Sequence, residues 1–128
     1  MTCLLDTHVL LFWLFNDRRL SAVARGILAD PANRVLVSSV SAWEICTKHR
    51  LGKLPGADVL VADVAGWVAR AGFEPLAVSI PHAQRAGTWP HPHRDPFDRM
   101  LAAQSAIEGI PLVSSDAALR AFAITLVW

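Results

Sequence analysis

The chain has 128 residues, 53% of them apolar, and a formal net charge of +1. That length suits one domain with a real core, and the near-neutral charge carries no overall signature of a nucleic-acid binder. The longest apolar run, Val9 to Phe15, falls well short of the roughly 20 residues that a membrane-spanning helix needs.

The chain opens on Thr2–Leu5, a short apolar run that predicts a buried strand. No basic leader or small-residue cleavage site accompanies it, which argues against a secretory signal. Cys3 and Cys46 stand in no motif and read as reduced core residues, with the cytoplasm as the default location. His8–Phe15 predicts a helix that is apolar on every face. Such a helix is either wholly buried or covered by a partner, at Phe12, Trp13 and Phe15 in particular. Ser21 to Ala29 predicts a second helix, stopped by Pro31.

Arg34–Ser38, with Val35, Leu36 and Val37, predicts another buried strand. A helix follows from Ser41 to about Leu51, closed by Gly52, and a further one from Asp58 to Ala71, ended by Gly72. Phe73–Val78 is the third strand and Pro81–Ala86 a short helix. Pro90 and Pro92 make Thr88 to Asp95 a loop. Pro96 opens a helix over Phe97–Glu108, stopped by Gly109. Pro111–Ser114, Asp116–Ala121 and Ile124–Val127 give a strand, a short helix and a final strand. Short apolar strands alternating with helices imply an α/β fold, a parallel sheet of about five strands covered on both faces. Ligands of such sheets bind outside the carboxyl ends of the strands.

Acids recur at that edge. Asp6 follows the first strand and Asp116 follows Leu112-Val113-Ser114-Ser115; each is also a favoured helix N-cap type. Glu44 lies four residues after Val40, on a face shared with a core position. Ser41-x-x-Glu44 also has the form of a capping box. Asp98 lies in the first turn of its helix, where the dipole favours an anion, with Asp95 as the cap. Carboxylates gathered within about 4–6 Å raise one another's pKa values. A hard divalent cation such as Mg²⁺ or Mn²⁺ relieves that repulsion, and its common use is to position a phosphate and activate water.

Asp6-Thr7-His8-x-Leu10-Leu11-x-Trp13, Ser41-Ala42-Trp43-Glu44-Ile45, His93-Arg94-Asp95-Pro96-Phe97-Asp98-Arg99 and Ser114-Ser115-Asp116 occur in that order. Together they resemble the PIN-domain nucleases, specifically the VapC-type toxin ribonucleases of toxin–antitoxin operons, over nearly the whole chain. The resemblance implies one PIN domain over residues 1–128, a three-layer α/β/α sandwich around a five-stranded parallel sheet. It places the catalytic, metal-binding acids at Asp6, Glu44, Asp98 and Asp116, with Asp95 an extra acid beside Asp98. It further implies Mg²⁺ or Mn²⁺, hydrolysis of RNA phosphodiester bonds (tRNA among the targets), an antitoxin partner and a homodimer. On this reading Asp6 and Asp98 are the main direct ligands, and Glu44 and Asp116 complete the site partly through water. Thr7 and Ser115 hold acids or phosphate, and Lys48, Arg50, Arg94 and Arg99 position the RNA backbone, with internal pairing to an acid the alternative for Arg99.

Two other readings compete. A non-catalytic RNA-binding or regulatory module on the same fold would have lost one or more acids, and all four are present. A phosphoacceptor receiver-like domain needs a lysine after a late strand, and none follows Leu112. His91-x-His93 lacks a further cysteine or histidine at zinc-ligand spacing.

Overall fold

A computed structural model describes residues 1–128. Five parallel strands, β1 (Thr2–Leu5), β2 (Arg34–Ser38), β3 (Glu74–Leu76), β4 (Leu112–Val113) and β5 (Leu126–Val127), form one sheet in the order β3-β2-β1-β4-β5. Leu4 at the centre pairs with Leu36 on one side and Leu112 on the other. The helices are α1 (Thr7–Leu14), α2 (Ala22–Ala29), α3 (Ser39–Arg50), α4 (Asp58–Ala62), α5 (Val64–Arg70), α6 (Ile80–Thr88) and α7 (Pro96–Glu108). A 3₁₀ turn covers Ala117–Phe122.

Strand side chains alternate between faces, and the core divides accordingly. Cys3, Leu5, Val35, Val37 and Val113 face one way, against Val9 and Leu10 of α1, Ala24 and Leu28 of α2, Ile45, Leu60 and Val68. Leu4, Leu36 and Leu112 face the other way, against Leu101 and Ala102 of α7 and Leu119 and Phe122 of the 3₁₀ turn. The result is the expected α/β/α sandwich. None of its helices is long and apolar enough to cross a membrane.

Three local expectations change. The helix expected over Asp58–Ala71 is two helices, because the chain leaves helical geometry at Asp63 (φ −157°). The Asp63 carboxylate then accepts the Gly66 N–H at 2.9 Å and restarts the helix. A Cβ at Gly66 would lie 2.1 Å from Asp63 Oδ2, so a residue without one lets the cap close. Second, α3 starts at Ser39, capped by Ser38, whose hydroxyl accepts the Val40 N–H. The alternative reading of Ser41–Glu44 as a capping box does not hold: Ser41 lies inside the helix, its hydroxyl 2.9 Å from Thr7 Oγ1. Third, β3 is only three residues long and carries Pro75, which an edge strand tolerates.

The apolar surplus of α1 is only partly absorbed. Phe12 and Trp13 pack half-buried against the core, whereas Phe15 is 52% exposed. Both cysteines are free thiols; Cys3 is buried and Cys46 half-buried.

Candidate functional site

The carboxyl ends of β1 and β4 open into a cleft of about 200 Å³ whose wall carries Asp6, Glu44, Asp95, Asp98 and Asp116. Thr7, His8 and Lys48 line it too, with Leu11, Ile45 and Leu54 as its apolar floor. Residues spread over most of the chain therefore meet at the edge where the strand pattern places ligands.

Asp6 is buried at the end of β1 and caps α1, its Oδ1 accepting the Thr7 N–H at 2.7 Å. Its Oδ2 accepts the Ser114 hydroxyl at 2.7 Å and lies 3.3 Å from His8 Nδ1. Burial alone would raise this carboxyl. The hydrogen bonds and charge from His8, with Ser114 and the Thr7 N–H, outweigh burial and hold it below the ordinary carboxylate value. His8 is the reciprocal case: burial disfavours its charged form, but Asp6, then Asp116 and Asp98, push it up. Its other nitrogen, Nε2, lies 2.9 Å from Ser115 Oγ.

Ser114 couples two acids. While donating to Asp6 it accepts the Asp116 N–H at 3.0 Å, and Asp116 Oδ1 in turn accepts the Ala118 N–H. Sequence reasoning singled out Ser115, and the buried residue that holds an acid is its neighbour. A hydroxyl immediately after an apolar strand was the available signal. His8 and His93 were likewise not recognised as partners of the acids.

Glu44 points inward from α3 and is buried. Its Oε2 pairs with Lys48 one turn later, while its buried Oε1 has no hydrogen-bond partner. Lys48 is tilted toward its charged form: burial lowers it, but Glu44 and then Asp95 and Asp98 raise it. Asp95 caps α7 through the Phe97 and Asp98 N–H groups. Asp98 itself caps nothing and lies 2.9 Å from His93 Nε2. Burial, with the Asp95 and Asp6 charges, pushes its carboxyl up to about 6 against the favourable pull of His93.

Arg99 does not line the cleft, nor does it pair with an acid. Its guanidinium donates to four backbone carbonyls: Nε to Ala86 at 2.8 Å, Nη1 to His91 and His93 at 2.7 Å each, and Nη2 to Trp89 at 2.6 Å. It therefore shapes the loop that delivers His93 to Asp98. The His91 ring stacks on Phe122 at 4.1 Å, and its Nδ1 accepts the His93 N–H. Arg94 and Arg50 are exposed.

Residues 3–124 match the family profile described as PIN domain. The chain belongs to the PIN domain family. A 58-residue stretch, 45% of this chain, is 41% identical to Ribonuclease VapC16 of Mycobacterium tuberculosis; it spans only 41% of that relative's length. Among solved structures, the fold is similar to that of VapBC2 from Rickettsia felis bound to a promoter DNA fragment (TM-score 0.71, 14% identity, 99% of this chain and 98% of that one). It is also similar to that of VapC20 of M. tuberculosis, a sarcin–ricin-loop-cleaving toxin (TM-score 0.69, 19% identity, 96% of each chain). FitAcB from Neisseria gonorrhoeae gives 0.63 at 17% identity, over 98% of this chain and 96% of that one. At such identities these likenesses speak to the PIN fold alone.

The donor set of this PIN cleft suits a hard divalent cation: five carboxylates, one with a buried oxygen that lacks any donor. Even so, no three carboxylate, imidazole or thiolate groups stand close enough to close around one ion as they are. The reason lies in the pairings above. Asp6, Glu44 and Asp98 are each drawn to a separate basic side chain, His8, Lys48 and His93. Mg²⁺ takes few protein ligands and keeps several waters, so an open arrangement of this kind still fits it.

Proposed function

We propose that this PIN domain, one unit over residues 1–128, is a metal-dependent endoribonuclease that acts as the toxin of a toxin–antitoxin pair. The observation that carries the reading is the meeting of Asp6, Glu44, Asp98 and Asp116 in one cleft, with Glu44 Oε1 buried and unpartnered. An isolated carboxylate oxygen in that state is costly unless something positive comes to it. The likeness to Ribonuclease VapC16 supports the choice of RNA as substrate. The presence of every acid disfavours a purely binding role.

Asp6 and Asp98 would be the principal ligands for Mg²⁺ or Mn²⁺, and Glu44 and Asp116 would complete the site partly through water. The bound cation supplies neutralisation of phosphate charge and activation of water for in-line attack. The chain's own residues do the rest. Ser114 fixes the separation of Asp6 and Asp116 through its two hydrogen bonds. Lys48, which lines the cleft beside Glu44, would face the substrate phosphate. Arg94, exposed beside the cleft's acidic helix start, meets the RNA backbone, and His8 and the Thr7 N–H orient Asp6. A structured RNA such as a tRNA is the substrate class.

Phe15, exposed at the end of α1, with half-buried Phe12 and Trp13 on the same helix, is the ground for an antitoxin contact. A homodimer and a cytoplasmic location complete the reading. The deciding experiment compares wild type with Asp6→Asn on a pool of structured RNAs at varied Mg²⁺ and Mn²⁺. Cleavage that requires the cation and is abolished by Asp6→Asn is expected; undiminished cleavage by the variant refutes the assignment.

A further inference from the structure

Trp43 is 60% exposed, whereas the other four tryptophans are all half-buried. Its ring meets Phe97 edge to face, with centroids 4.9 Å apart and planes at 71°. Phe97 is anchored from below, since it packs against the core cluster that holds Leu101 and Leu119. The tryptophan is thus held against a fixed ring yet left open to solvent. No protein group takes up its indole N–H.

Position gives this pair its meaning. Trp43 immediately precedes Glu44 on α3, and Phe97 immediately precedes Asp98 on α7. Two helices that each deliver an acid to the cleft therefore also carry, one residue earlier, one ring of this pair, outside the side chains that line the cleft itself. A preorganised, open aromatic face beside a phosphate site is how proteins bind unpaired bases: every base offers a π-face, and stacking tolerates sequence.

We infer that Trp43, propped by Phe97, is a stacking platform for an unpaired nucleobase next to the phosphate held in the acid cleft. The inference rests on the nuclease reading and adds a requirement to it: the RNA is single-stranded or splayed at the cut site. Trp43 binds substrate and takes no part in proton transfer, so its loss weakens binding and leaves the turnover of bound RNA largely intact.

The test measures binding apart from cleavage. A short fluorescein-labelled oligoadenylate, and the same oligomer carrying abasic sites, are titrated by fluorescence anisotropy in Mg²⁺ against Asp6→Asn protein with Trp43 intact, Trp43→Leu or Trp43→Phe. Trp43→Leu is expected to bind oligoadenylate about 5- to 150-fold more weakly, the range for losing one base–aromatic stack. Trp43→Phe should recover most of the loss, and the abasic oligomer should not distinguish the proteins. Equal binding of oligoadenylate with and without Trp43, or no detectable binding by any of them, overturns the inference. So does sedimentation showing that Trp43→Leu turns a dimer into a monomer while leaving RNA affinity unchanged, since the ring is then a contact between copies. Metal-dependent cleavage is assayed separately: stacking without cleavage refutes the nuclease reading alone, and cleavage without a Trp43 effect refutes the platform alone.

Discussion

Replacing Arg99 with methionine keeps the length and apolar stem of the side chain and removes every donor. Four carbonyls then lose a charge-assisted partner. Hydrogen bonds to charged groups contribute about 1.5–3 kcal/mol each, but simple addition overstates the loss. Trp89, His91 and His93 are only half-buried, so their carbonyls regain water, whereas Ala86 is buried and its carbonyl stays dry. Assigning about 2 kcal/mol to the dry carbonyl and a few tenths to each of the others gives a destabilisation of about 3 kcal/mol. For a chain of this size that corresponds to a fall in Tm of roughly 10 °C. Arg99→Lys should lose about 2 kcal/mol, because one ammonium cannot span carbonyls that a planar fork reaches in several directions. Urea unfolding followed by circular dichroism measures both variants. An unchanged slope with a lowered midpoint is expected. If Arg99→Met lies within about 0.5 kcal/mol of wild type, the guanidinium does not organise the loop, and its link to His93 and Asp98 falls with it.

Asp98 gives a pH prediction. A carboxyl raised to about 6 holds its proton more tightly folded than unfolded, so metal-free protein loses stability as pH climbs from about 4 to above 6. The side chain is 18% exposed, and solvent screening there brings the effect to about 1–2 kcal/mol. Asp98→Asn in EDTA should therefore be more stable than wild type by that amount at pH 8 and equal to it near pH 4; identical pH profiles contradict the shift. Ser114→Ala leaves Asp6 Oδ2 and the Asp116 N–H without their shared partner and should cost about 1–3 kcal/mol. Asp6 is held low when folded and so stabilises the fold above the ordinary carboxylate range. The variant should begin to unfold at higher pH on acidification, and an unmoved acid transition counts against the Ser114 bridge. Gly66→Ala sets a gain in helix propensity of about 1 kcal/mol against loss of the Asp63 cap. It should be near neutral in wild type and stabilising by about 1 kcal/mol in an Asp63→Ala background; a thermal-melt cycle showing strict additivity is the contrary result.

Much of the architecture was legible because its causes are local. Val35-Leu36-Val37 is apolar on consecutive positions, as a strand buried on both faces must be, and Pro96 and Gly109 mark the ends of α7 by their own backbone chemistry. Asp6, Glu44 and Asp116 were legible because the segments after parallel strands start at one edge, whereas Asp98, which follows no strand, was legible only through its helix start and motif. What escaped depends on partners remote in sequence or on competition between two local signals. Ser114 reaches Asp6 across 108 positions, and nothing beside either residue announces the other. Ser41 reads as the start of α3, and Ser38 takes the cap because the helix begins directly at the end of β2. The break at Asp63 lies inside a run whose apolar spacing reads as continuous helix. Arg99 looked like a phosphate ligand because arginines near acids often are, while the carbonyls that claim it belong to a loop with no regular form.

Asp6, Asp95 and Asp116 are the first links of α1, α7 and the 3₁₀ turn as well as walls of the cleft. Selection for mere foldability would keep an acid or its amide at those places even in a descendant that had stopped cutting anything. Glu44 and Asp98 hold no backbone start together. In any aligned set of such chains, these two are the sensitive gauge of whether the chemistry survives.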